Sequence, residues 1–340
     1  MRSLIKIEEP CLRFAFDQEV EDPRDGLTMF GPLDSGKPYG IRAGVIGTPD
    51  GIQKWKRWVD WAQGPVYTPN PEAGRPPYPG FESAFRIPWS STPALTVTVD
   101  EEELLRRVVV DDRPQRVYGT VGLYCDGIKS VFDEDVKPDM WFVVIPDIVR
   151  QYCRPLAVVD PTVRQKAKTT VFNSPAEAKK FLETASLFAA QNEAAEPYFY
   201  QEHFRNQLKA KLLTDRIATQ VVREGTLENI QSGGTTRREK GLHRLQSNIA
   251  WNLSTTAFYK SGGRPWKVSG IREGVCYIGI VYKRDDRSGE SESACCGAQM
   301  FLDSGDGVVF KGAVGKWYNT ETRNFHLSRS AAKESHCVGP

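Results

Sequence analysis

The sequence predicts an α/β protein, and three observations carry that expectation. A short β-branched run, Ile41-Arg42-Ala43-Gly44-Val45-Ile46-Gly47-Thr48, is followed by residues 51–61, in which Ile52, Trp55, Trp58 and Val59 recur near helical spacing. Strand then helix opens an α/β unit. A second run, Met140-Trp141-Phe142-Val143-Val144-Ile145, is apolar throughout and ends at Pro146, as a strand buried on both faces of a parallel sheet would. The third is size: 340 residues make two domains at about 150 residues each, enough for real cores.

Taken in order, residues 1–37 carry dense turn signals, Asp22-Pro23-Arg24-Asp25-Gly26-Leu27 and Phe30-Gly31-Pro32-Leu33-Asp34, because proline presets φ and glycine accepts positive φ. Residues 64–98, rich in proline and aromatics, predict a long ordered loop, since aromatic side chains pack. At its end Leu95-Thr96-Val97-Thr98-Val99 alternates as a strand does. A helix is expected over residues 117–131. Ser174-Pro175-Ala176-Glu177 is a capping box with proline at N1, starting a helix that runs to residue 192. Residues 203–213 are helix-compatible and Thr219-Gln220-Val221-Val222-Arg223-Glu224 is strand-like. From residue 275 the pattern changes to strands at 275–282, 297–303 and 307–311, the last two joined by the hairpin signal Asp303-Ser304-Gly305-Asp306-Gly307. A last helix is expected from residue 328.

Composition narrows the function. With 40% hydrophobic and 26% charged residues the chain is an ordinary globular one. No apolar stretch has the length of a membrane span and the N-terminus lacks the pattern of a signal peptide, so no membrane partner and a cytoplasmic location are expected. Seven cysteines, an odd number without a C-x-x-C pair, read as reduced thiols. The four histidines have no H-x-x-x-H spacing, against a His-rich metal site. The run Gly31-Pro32-Leu33-Asp34-Ser35-Gly36-Lys37-Pro38 imitates a phosphate-binding P-loop, but proline stands where the magnesium-binding hydroxyl belongs. A surface turn is the better reading.

The net charge of +2 is unevenly spread. Residues 201–266 carry eleven basic and five acidic side chains, a +6 segment that leaves −4 for the rest of the chain. Within that segment, helical spacing puts Arg205 and Lys209 on one face. Gln220 sits on the strand-like element, and Lys260 precedes a glycine pair in Tyr259-Lys260-Ser261-Gly262-Gly263-Arg264-Pro265-Trp266. Separated donors of this kind suit a terminal phosphate.

The Asp22-to-Leu27 turn with Phe30-Gly31-Pro32, the strand at 41–47, Leu208-Lys209-Ala210, the Thr-Gln-Val-Val-Arg-Glu block at 219–224, the Lys-x-Gly-Gly-x-Pro-Trp block at 260–266 and Tyr277-Ile278-Gly279-Ile280 together resemble the short prokaryotic Argonautes, which consist of MID and PIWI domains. The resemblance covers most of the chain and is most specific in the 219–224 and 260–266 blocks. It implies a Rossmann-like MID domain over residues 1–245, including the turn-rich N-terminal segment, and an incomplete, RNase H-like PIWI domain over residues 246–340. By position it assigns the pocket for the guide 5′-phosphate to Arg205, Lys209, Gln220 and Lys260, with Arg205 where the family has an aromatic or His residue. His203, Phe204, Arg223 and Arg264 are expected as candidate auxiliary contacts to the guide. In many relatives Mg2+ completes this pocket with the C-terminal carboxylate; here the C-terminus does not stand at the equivalent place, which leaves the metal open. Slicing members carry a catalytic Asp in Gly-Ile-Asp on the first PIWI strand, where this chain has Gly279-Ile280-Val281, and valine ligates no metal. The later catalytic elements would fall beyond Pro340.

The expectation is therefore a non-slicing binder of a guide nucleic acid, RNA in preference to DNA, that supports recognition of a complementary target, DNA in preference to RNA. Such proteins serve prokaryotic immunity beside an effector carrying an Argonaute-associated domain and a TIR, sirtuin-like or nuclease module. Two alternatives stand beside it: an α/β enzyme acting on a small phosphorylated or nucleotide ligand, and a truncated, non-functional relative.

Overall fold

A computed structural model describes residues 9–67, 77–132, 134–166, 172, 177–178, 181, 189–228, 246–284, 294–304, 306–315, 318–319 and 324–325. The chain divides into two compact units, one formed by Leu27–Pro265 and the other by Met1–Gly26 with Trp266–Pro340.

In the first unit β1 (Ala43–Gly47) leads into α1 (Pro49–Ala62), β2 (Leu95–Thr98) into α2 (Glu101–Val108) and α3 (Arg113–Ser130), and β3 (Met140–Ile145) into α4 (Asp147–Tyr152). These are followed by α5 (Phe204–Leu213), β4 (Thr219–Arg223), α6 (Glu224–Glu228) and α7 (Gln246–Lys260). The four strands are parallel in the order β2-β1-β3-β4. Both inner strands, β1 and β3, are buried at every residue, as the continuous apolar runs predict.

Alternation along β3 supplies two cores. Trp141, Val143 and Ile145 join Ile46 in a cluster with Val121 and Tyr124 of α3 and Leu208 of α5. Phe142 points the other way, 5.4 Å from the ring of Trp55 and 5.6 Å from that of Trp89. The described part of the proline-rich segment belongs to this second core. Phe81 lies edge-on to Trp89, Phe85 packs on Phe258, and Tyr78 meets Trp251 and shares a 2.8 Å hydrogen bond with Ser254 Oγ. Gly44 lets the sheet's helix-facing surface close on Trp141, since a Cβ there would lie 2.6 Å from the indole.

Several local readings change. Asp22-Pro23 starts a helix, Pro23–Met29, instead of a simple turn, because Asp22 Oδ1 accepts from Arg24 N at 2.7 Å and proline suits the first helical position. Sequence reasoning missed α2, although Asp100 caps it by accepting from Glu103 N at 2.8 Å, with acids in its first turn and arginines in its last. The P-loop look-alike is structural: Lys37 Nζ bonds Asp139, which also accepts from Arg42 N at 3.0 Å. Ser174, Pro175 and Ala176, and the helix expected from residue 328, lie outside the described residues.

The second unit contains an antiparallel meander of β5 (Cys276–Arg284), β6 (Ala294–Leu302) and β7 (Gly307–Gly315), with β6 in the middle. Val281 pairs with Gly297 in this ladder. A smaller sheet joins Leu12–Arg13 to Glu19–Val20 and to Lys267–Val268, and Phe14 is buried beside Trp266. Among the described residues Cys11, Cys125, Cys153 and Cys276 are free thiols, and burial pushes Cys125 and Cys153 up to about 11.

Candidate functional site

The basic segment forms a site because α5, β4 and α7 each place one part of it. The backbone N–H of Phe204 donates to Cys153 O at 3.0 Å and so fixes the start of α5. Phe204, Gln207, Leu208 and Leu212 are buried, which turns Arg205 and Lys209, four residues apart, toward the opposite side. Gln220 is the second residue of β4, paired with Phe142 of β3.

The end of α7 explains the glycine pair. Gly263 N donates to Phe258 O and Gly262 N to Tyr259 O, both at 3.1 Å, and Gly262 has φ of 101°. This is a Schellman closure, in which the left-handed residue carries no Cβ penalty. A Cβ on Gly263 would stand 2.4 Å from the Phe258 ring. The closure holds Lys260 in the final turn of α7, where the helix dipole favours a cation. From there Lys260 Nζ donates to Thr219 O at 2.6 Å and to Gln220 Oε1 at 2.8 Å.

Arg205, Lys209, Gln220 and Lys260 are thus brought together from three elements. Burial, then the charges of Lys209 and Arg205, push the Lys260 amine down to about 8. Burial and Arg205 likewise hold Lys209 below the usual lysine range. Among the described residues no carboxylate forms an ion pair with any of the three. Uncompensated positive charge around a neutral amide favours an anion with several acceptor oxygens.

The auxiliary residues divide. His203 is the N-cap residue of α5; its Nδ1 is buried without a hydrogen-bond partner, and burial and the Arg205 charge lower its pKa. Phe204 is not a surface stacking residue: it is 3% exposed and packs edge-on against Tyr124. Arg223 stands 3.7 Å from Asp147, and Arg264 forms a backbone bridge with Asp34. Sequence reasoning missed Arg150 and Arg154, which line a cavity with His203 and Arg205. Their four-residue spacing just after β3 was the available signal, outside the segment in which charge was counted.

Among the described residues the pocket itself offers a magnesium ion few oxygen ligands. Gln220 Oε1 and Thr219 O already accept from Lys260, and among the described residues no group of three or more His, Cys, Asp or Glu side chains could hold a metal. No helix among the described residues is long and apolar enough to cross a membrane.

No family model matches the chain and no curated protein matches it. Solved structures similar to it include a Clostridium butyricum Argonaute bound to a guide DNA and a target DNA, at 14% identity and a TM-score of 0.49, covering 96% of this chain and 32% of that one. Aquifex aeolicus Argonaute is similar at 12% identity and a TM-score of 0.37, covering 97% and 34%, and Drosophila Piwi at 12% and 0.42, covering 91% and 30%. The chain spans about a third of the length of these structures.

Proposed function

We propose that this chain is a guide-binding protein of the Argonaute kind, which holds the 5′-phosphate of a guide nucleic acid between Arg205, Lys209, Gln220 and Lys260 and offers the guide for pairing with a target. The observation that carries the reading is that Lys260, bonded to Gln220, lies within the field of Lys209 and Arg205, and that none of the three cations has an acidic partner among the described residues. Affinity then comes from phosphate contacts, and target selectivity from base pairing. The reading includes no cutting step, because the resemblance aligns Val281, which ligates no metal, with the slicing members' first aspartate. A binder of this kind acts through an effector, and the TIR, sirtuin-like or nuclease module that the resemblance implies is part of the proposal.

The test compares one oligonucleotide with a 5′-phosphate or a 5′-hydroxyl. Combined Arg205→Ala, Lys209→Ala and Lys260→Ala substitutions should weaken the phosphorylated strand by about a hundredfold or more, each charge-assisted hydrogen bond contributing about 1.5–3 kcal/mol. The hydroxyl strand should lose far less. Equal losses for both strands would remove the pocket assignment.

A further inference from the structure

We infer that a second anionic subsite adjoins this pocket, so that the chain accepts a 5′-polyphosphate and not only a monophosphate; the inference rests on the guide-binding reading above. Beyond Arg205 lies a cavity of about 270 Å³. It opens where β3 and β4 end, with Ile145 and Val221 in its wall and Arg150, Arg154, His203 and Arg223 beside Arg205 in its lining. Arg205 therefore belongs both to the phosphate cluster and to the cavity.

The charges in the cavity are poorly compensated. Arg223 faces Asp147 at 3.7 Å, whereas Arg150, Arg154 and Arg205 have no ion pair or side-chain hydrogen bond among the described residues. His203 adds a buried ring nitrogen without a partner. Burial, then the charges of Arg205 and Arg150, lower the histidine pKa. A monophosphate between Lys209 and Lys260 carries at most two negative charges and leaves Arg150 and Arg154 unanswered. A neutral base in the cavity would leave them so as well. Further phosphoryl groups extending past Arg205 would answer them, and guanidinium groups match phosphate oxygens bidentately.

The experiment uses the full chain and fluorescence anisotropy on one oligonucleotide sequence bearing a 5′-hydroxyl, a 5′-monophosphate or a 5′-triphosphate. The triphosphate should bind about tenfold tighter than the monophosphate or better, as one further charge-assisted contact implies. Arg150→Gln with Arg154→Gln should abolish that gain and keep the preference for monophosphate over hydroxyl; both side chains are exposed, so the substitutions spare the core. A triphosphate no tighter than a monophosphate, with monophosphate still ahead of hydroxyl, overturns the subsite and leaves the guide pocket standing. Equal loss for all three ends in the double variant also overturns it. If monophosphate and hydroxyl bind alike, the guide pocket fails instead, and the subsite survives only if a free nucleoside triphosphate binds in an Arg150- and Arg154-dependent way. With the guide pocket intact, competition by that free nucleotide separates recognition of the polyphosphate itself from recognition of a phosphorylated strand end.

Discussion

Lys260 concentrates the chemistry of the site in one ionisable group. Its amine titrates near 8, below the ordinary value of 10.5, because it is buried and faces Lys209 and Arg205. Above pH 8 the empty pocket holds a neutral amine, so phosphate binding there requires proton uptake. Guide affinity should fall by about tenfold between pH 7 and pH 9, the drop expected for loss of one proton with that pKa. A Lys260→Met variant, titrated by anisotropy over the same range, should show little slope; an unchanged slope would mean that another group titrates. The sign for stability is the reverse. Between pH 8 and 10.5 the unfolded chain holds more protons than the folded one, so the cost of this lysine to folding diminishes as pH rises. The candidate residues were legible in the sequence as donors at helical spacing and before a glycine pair. The depressed pKa was not, because it depends on three residues that meet only when α5 and α7 flank β4. Arg116 shows the same limit: it is 1% exposed and donates to the carbonyls of Tyr152 at 3.0 Å, Val110 at 2.6 Å and Ala157 at 3.0 Å, a clamp with no sequence signature.

Among the elements, α1 shows how a local signal acquires a tertiary partner. Thr48 caps it by accepting from Gly51 N at 3.0 Å, and the same hydroxyl donates to Glu224 Oε1 of α6 at 2.7 Å. Lys54, four residues into the same face as Asp50, reaches Asp50 at 2.6 Å and Glu224 at 3.7 Å. Thr48→Val removes both the cap and the link to α6 and should cost about 1–2 kcal/mol in urea denaturation, with Thr48→Ser close to wild type. A valine variant as stable as the serine one would show that the hydroxyl contributes nothing. The strands β1, β3 and β4 were readable because period-two and continuous apolar patterns are local. For α2, the cap and charge signals were present, but only Leu104 and Val108 are buried, too few to mark an apolar stripe.

For the whole molecule, charge distribution matters more than its sum. A chain of net charge +2 can bind a polyanion if its basic groups converge. Single-strand binding should therefore weaken with salt, and the Arg205, Lys209 and Lys260 triple variant should show a log–log slope flatter by about 1, since the three cations meet one terminal phosphate of at most two charges and each charge neutralised contributes about 0.7. Matching slopes for variant and wild type would place those cations away from the strand. The sequence by itself determined the α/β class, the buried inner strands and the segment that carries the basic excess, because strand periodicity, capping and charge runs are properties of neighbouring residues. Only the tertiary structure decided that Phe204 turns into the core, that Lys37 is taken by Asp139, and that Lys260 reaches across 40 residues to Gln220. Those outcomes depend on which faces the helices bury against the sheet, and no local pattern specifies the meeting of side chains so far apart in the chain.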